Sequence, residues 1–433
     1  MQYLPVLIDM KRNHFVLGLI LLTFFVISFL TNILGPLVPD IIRSFSLSLT
    51  TVAMLPFAFF IAYGVMSIPS GILVEKYGEK LTMAAAFFIS FLGALIFVLF
   101  PGYFSYMFSL FFIGVGMAML QVAINPLLRV AGGEAQFAFN SVLGQFFFGL
   151  ASFLSPLVYS YLVLNIGKTQ GDNSMIISLF EAIVPAELPW ISLYWIFALV
   201  SLLMVIVISV IKIPKVELKG DEKVGGLSTN MELLKNPTVI LYFIAIFCYV
   251  GLEQGVANWM SEFLNKYHHI DPKTDGAGAI SWFWGLLTMG TLLGLLLLKF
   301  IDSRRVLIIF TIAAIISLAL SLFGPAGISL WAFPMVGFFA SVMWSIIISL
   351  ALNSMAQHHG ALSGILITGI CGGAVIPLII GWIGDMTSLK TGMMFMFVML
   401  GYILSVGFWA RPLVINEVIS LRKSKKLNVI NNE

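Results

Sequence analysis

Charge is scarce in this chain. Lys, Arg, Asp and Glu make up 10% of its 433 residues, against roughly 25% in soluble proteins. That leaves little room for a water-soluble domain. Cysteine is scarcer still: Cys248 and Cys371 are the only two, both inside apolar segments, so a disulfide framework is excluded. No G-x-S-x-G, H-E-x-x-H or carboxylate-rich motif occurs, so no enzyme chemistry and no cofactor are expected. No nucleic-acid partner is expected either. What the chain has instead is grease. It is 60% hydrophobic, with 38 Phe, 38 Gly and 21 Met. Apolar stretches of roughly 20 residues, each long enough to cross a bilayer, recur along its length. No cleavable leader is expected before the first of them. Lys11 and Arg12 flank it, and it reads as an uncleaved first helix.

The fold class expected is an all-α polytopic membrane protein with twelve spans, at 14–37, 50–73, 81–99, 104–128, 137–165, 190–211, 237–262, 277–298, 305–323, 329–354, 361–384 and 391–410. With the N-terminus inside, eighteen Lys and Arg fall in inner segments and five (Arg43, Lys168, Lys266, Lys273 and Lys390) in outer ones, which accounts for all 23. Positive charge is retained on the cytoplasmic side, so both termini are expected there. The polar stretch 212–236 divides the spans six and six. It reads as a cytoplasmic linker between an N-terminal half, 1–211, and a C-terminal half, 237–433, that ends in a short tail. Two six-span halves suggest pseudo-symmetry about a central path. The polar segment 167–189 reads as an external loop with room for a short surface helix.

Polar side chains inside such spans are expensive and point to function or to helix–helix contacts. Among the 20 acidic residues, Glu253 is read as the only one well away from the ends of a span. An ionised carboxylate in hydrocarbon needs a proton, a cation or hydrogen-bond donors. Glu253 is therefore the candidate for ion coupling and for substrate binding, with structural bonding to a neighbouring helix as the alternative. Spans four and seven each carry Q-x-x-x-N, as Gln121 with Asn125 and Gln254 with Asn258. Amides both donate and accept, which suits hydroxyls without demanding charge. Asn32, Asn140 and Gln145 add further amides. Trp259 and Trp282 offer indole faces for a sugar ring. Trp284 lies near Trp282, and an interfacial belt is the competing reading for both. No span core carries a buried Lys or Arg for an anion, so the solute expected is neutral and hydroxyl-rich. His358 and His359 imply no metal, and any metal site stays unknown.

Two turns read as gates. GILVEKYGEKL supplies Gly71, Glu75, Lys76, Gly78 and Lys80. The turn after span eight supplies Asp302, Arg304 and Arg305. Arg129, at the inner end of span four, joins them. Paired charges at helix ends can hold one conformer closed; two ordinary positive-inside loops are the plain alternative.

The turn GILVEKYGEKL resembles the cytoplasmic motif of the major facilitator superfamily. LQVAINP, YVGLEQGVANW, SWFWGLLTMG and GICGGAVIPLIIGWIGD resemble, within it, the fucose–proton symporter family of bacterial sugar transporters and its glucose/galactose branch. The resemblance implies a major facilitator fold in the bacterial inner membrane, working as a monomer. It implies import of a hexose such as glucose, galactose or fucose, by symport with Na⁺ or H⁺. The alternatives are an uncoupled sugar facilitator and an exporter of another small organic compound. The chain departs from the family at Gly35, where an acid is common, at Gln121, where the fucose type has Glu, and at Phe148 and Ala340, where Asn is frequent.

Overall fold

A computed structural model of the chain describes residues 14–132, 137–166, 175–213, 233–355 and 359–413. Twelve of its helical segments are long and apolar enough to cross a membrane. The expected linker core and both chain ends, with Lys11, Arg12 and His358, lie outside the described residues. So do the side chains of Asn125, Arg129 and His359.

The span count holds, and most of the helix starts, with several of the ends, lie further out than expected. Span one is His14–Thr31 followed by Leu34–Phe45. The break at Asn32 and Ile33 restarts the helix, and Pro36 falls in the new first turn, where a missing N–H costs nothing. The second piece carries Asp40, which is buried. Asp40 is thus a second carboxylate within a span, near the span's end, whereas Glu253 lies at the middle of span seven. Span seven runs over Pro237–His268, so Glu262 and Lys266 are helical too. Its start is capped by Asn236, whose side chain accepts from the Thr238 amide at 2.9 Å. Span ten is split into Ala326–Ala340 and Met343–Asn353. The segment read as an external loop holds a short helix, Met175–Ile183, with Ile177 and Phe180 buried.

The described residues form two compact units. One holds the chain up to Ile33 and then from Ala58 through span six. The other holds Leu34–Phe57 and everything from span seven onward. In the first unit, spans three, four and six close around a ring cluster. Phe97 stacks on Tyr106 at 4.4 Å, and Tyr194 donates to the Tyr106 hydroxyl at 2.6 Å. Close approach of spans three and four depends on Gly93, where a Cβ would stand 2.8 Å from the Ser109 carbonyl oxygen.

In the second unit, span seven (Pro237–His268) packs on span eleven (His359–Thr368, Gly369–Cys371 and Gly372–Met386). A Cβ at Gly372 would overlap the Phe247 carbonyl, and one at Gly251 would overlap Ile376. Small residues at such contacts let helix backbones approach, which drives association where lipid is as apolar as the side chains.

Candidate functional site

The second unit builds its polar centre on one helix. Glu253 is half-buried at the middle of span seven. Its Oε2 accepts from the Tyr249 hydroxyl at 2.6 Å, and its Oε1 accepts from Gln254 Nε2 at 3.3 Å. Tyr249 lies four residues earlier, so helical periodicity puts both side chains on one face. Asn258 repeats the spacing, donating to the Gln254 carbonyl at 2.9 Å and to its Oε1 at 3.5 Å. Tyr249 also packs against Trp344, with ring centroids 6.0 Å apart. Both hydrogen-bond partners of Glu253 are neutral donors. The carboxylate therefore has acceptor capacity for a proton, a cation or a hydroxyl. Among the described residues, no cluster of three His, Cys, Asp or Glu could hold a metal ion.

Other candidates are engaged differently. Trp259 is buried, and its Nε1 donates to the Pro377 carbonyl at 3.1 Å. Its ring also lies beside Gly381. The indole thus braces span seven against span eleven. Trp282 is 41% exposed and pairs with Trp331 at 6.3 Å. Trp284, two residues on, is buried, and its Nε1 has no partner among the described residues.

In the first unit, Asn32 donates to Ser152 at 2.8 Å, and Ser28 and Ser152 share a 2.5 Å hydrogen bond. This network ties span one to span five. Asn140 is buried, Gln121 half-buried and Gln145 exposed. Asn125 lies on the span-four helix.

Several residues of the two turns read as gates cap or tie helix ends. Gly78 adopts φ 82° between spans two and three, a left-handed conformation that favours glycine. Lys80 donates to the Ser209 carbonyl at 2.9 Å, near the C-terminal end of span six. Cations suit that end of a helix dipole. Gly71 is buried, whereas Glu75 and Lys76 are exposed. Asp302 caps span nine, accepting from the Arg304 amide at 3.0 Å and pairing with Arg304 Nε at 3.4 Å. Arg304 also reaches the Ala410 carbonyl, at 3.4 Å. Arg305 is exposed in the same first turn.

Three residues were missed from sequence. Tyr249 was legible as the i−4 neighbour of Glu253. Glu79, buried in the first turn of span three, adjoins the motif already singled out. Asp385 carried no local signal. It accepts from the Leu49 amide at 2.9 Å and the Thr50 amide at 2.8 Å. Ser48 takes the next amide, Thr51, at 3.2 Å. A carboxylate on span eleven thus caps the start of span two. Gly35 explains its own identity: a Cβ there would overlap the Ala257 carbonyl oxygen and lie 3.1 Å from its carbon. A side chain larger than glycine's has no room at this position.

The comparisons with known proteins agree with this architecture. The model of the Major Facilitator Superfamily matches residues 20–376. A glucose/galactose transporter of Brucella abortus is 28% identical over 92% of this chain and 94% of its own length. A putative glucose/galactose transporter of Helicobacter pylori is 30% identical over 86% and 90%. Among solved structures, the Escherichia coli fucose:proton symporter superposes with a TM-score of 0.66 at 20% identity, covering 93% of this chain and 100% of that one. A bacterial homologue of the human lysosomal transporter Spinster gives 0.75 at 14% identity, covering 92% and 97%. Twelve apolar spans, glycine-dependent helix contacts and the family match lead to one conclusion: the chain belongs to the Major Facilitator Superfamily and is a multi-pass membrane transporter, not an enzyme.

Proposed function

We propose that this transporter imports a neutral hexose by symport with a cation, through alternating access. The observation that carries the proposal is Glu253, set at mid-span with two neutral donors and a run of amides along the same helix. Such a constellation offers acceptors and donors to hydroxyls and offers no cation to an anion. The names of the relatives, glucose/galactose transporters and a fucose symporter, support the same solute class. The charge split supports cytoplasmic termini and insertion in a bacterial inner membrane. In this reading the protein acts as a monomer, and Glu253 serves Na⁺ or H⁺.

Glu253→Gln tests it in proteoliposomes. The variant is expected to fold, since amide and carboxyl are close in size, and to lose sugar accumulation under an imposed Na⁺ or proton gradient. Retained exchange of labelled for unlabelled sugar assigns Glu253 to coupling alone; joint loss of exchange assigns it to sugar binding as well. Wild-type accumulation ratios in the variant would sink the coupling role. A second reading, an uncoupled sugar facilitator, is favoured by the crowding at Gly35, which leaves no room at that position for the acid the family resemblance implies. It requires wild-type protein to equilibrate the sugar without concentrating it.

A further inference from the structure

Among the buried side-chain polar atoms of the second unit without a partner among the described residues (Ser261 Oγ, His268 Nε2, Ser281 Oγ and Trp284 Nε1), the indole N–H of Trp284 belongs to the largest side chain. An indole nitrogen donates and never accepts, and burying a donor without an acceptor is costly. Two residues on span eight, three positions apart, share this condition: Ser281 Oγ and Trp284 Nε1, neither with a partner among the described residues.

Helical register shows what they face. On span eight (Ala277–Leu297), Phe283, Gly290 and Gly294 meet span ten, at Gly337, Ser341 and Val342. At about 100° per residue, Ile280 and Trp284 lie roughly 60° and 100° around the helix from that face. Gly35 marks where their side leads, because a Cβ there would meet both the Ala257 backbone of span seven and the Ile280 side chain of span eight. On span seven, Gly251, Gly255 and Trp259 meet span eleven and its neighbours, which leaves Ala257 and Glu253 on the opposite side. Spans seven and eight are consecutive and antiparallel. One turn back from Ala257 is Glu253, and one turn on from Ile280 is Trp284. Both steps run in the same direction along the membrane normal. Glu253 and Trp284 therefore stand at matching depth, one turn from the Gly35 contact.

We infer that Trp284 is a substrate-recognition residue, its indole N–H donating a hydrogen bond to a sugar hydroxyl that in turn donates one to Glu253. A hydroxyl both donates and accepts, so it can satisfy a donor-only and an acceptor-only group together. The indole face suits the apolar side of a pyranose ring. This subsite rests on the hexose reading above.

The test is counterflow in proteoliposomes with glucose, galactose and fucose and their monodeoxy analogues. Trp284→Phe keeps a ring and removes the N–H. The expected result is affinity for the preferred hexose weakened about tenfold or more. One deoxy analogue, lacking the hydroxyl concerned, should bind both proteins alike. Trp284→Tyr, with a ring and a donor, should recover part of the loss, and it serves if the Phe variant fails to fold. Wild-type affinity in the Phe variant, or an equal loss for every analogue, overturns the subsite and leaves the hexose reading standing. No exchange of any hexose by the wild-type protein overturns both.

Discussion

Replacing Gly35 by alanine should weaken the packing of the second piece of span one on span seven. The added Cβ falls well within 3.0 Å of the Ala257 carbonyl oxygen, 3.1 Å from its carbon and 3.4 Å from Ile280 Cδ1. Two of these three neighbours are backbone, so no rotamer change relieves the overlap. The helices must separate by up to about an ångström, and overpacking of this kind costs about 1–3 kcal/mol. A transporter distributes such a cost between conformers. The arrangement with this contact closed should lose population by a factor of about 5 to 150 against any arrangement in which the contact is open. Ile280→Cys, in a protein whose Cys248 and Cys371 are replaced by serine, reports the change. Ile280 is fully buried beside Gly35, so a small maleimide reaches position 280 only when the contact opens. Adding Gly35→Ala should raise the labelling rate by about that factor. Equal labelling rates with and without the alanine would refute the steric argument, because the energy would then have to vanish into a backbone the structure shows in direct contact.

Three further outcomes follow from particular bonds. Tyr249→Phe keeps the ring against Trp344 and removes the donor to Glu253. A hydrogen bond to a charged group is worth about 1.5–3 kcal/mol, so hexose binding by calorimetry should weaken about tenfold, and unchanged binding would mean Tyr249 does not hold the carboxylate. Ser152→Ala removes the partner shared by Ser28 and Asn32 and should lower stability by about 1–2 kcal/mol, read as a lower denaturation midpoint in detergent; an unmoved midpoint would show that the network is not stabilising. Asp385→Ala strips an acceptor from two first-turn amides of span two, a loss of about 0.5–1 kcal/mol. Asp385→Asn should retain part of it, and equal midpoints for alanine and wild type would refute the cap.

The span count was legible because each span is an apolar run flanked by charge or turn residues. Ends were less legible where a helix leaves the hydrocarbon and continues. Lys266, Tyr267 and His268 read as loop, yet they add a last turn to span seven. The site divides the same way. Glu253, Gln254 and Asn258 stood out as polar residues in apolar sequence. Tyr249 did not, since a tyrosine in a span passes as one more ring. Trp282 and Trp284 are two residues apart, about 200° around a helix, and composition cannot say which faces lipid. Asp385 was invisible for another reason: its partners are backbone amides more than 300 residues away, and amides carry no letter in a sequence.

That anonymity has a genetic consequence. The two sides of the Asp385 contact are not equally mutable. One side is a single codon, and the other is peptide backbone, which substitution at Leu49 or Thr50 leaves in place. Only proline deletes an amide, and the first turn of a helix is where proline is tolerated. A search for suppressors of a defect at this contact should therefore return changes at position 385 or proline at 49 or 50, and should return no charge-swapped pair. Covariation, the usual trace of two touching side chains, would pass over this joint between spans two and eleven.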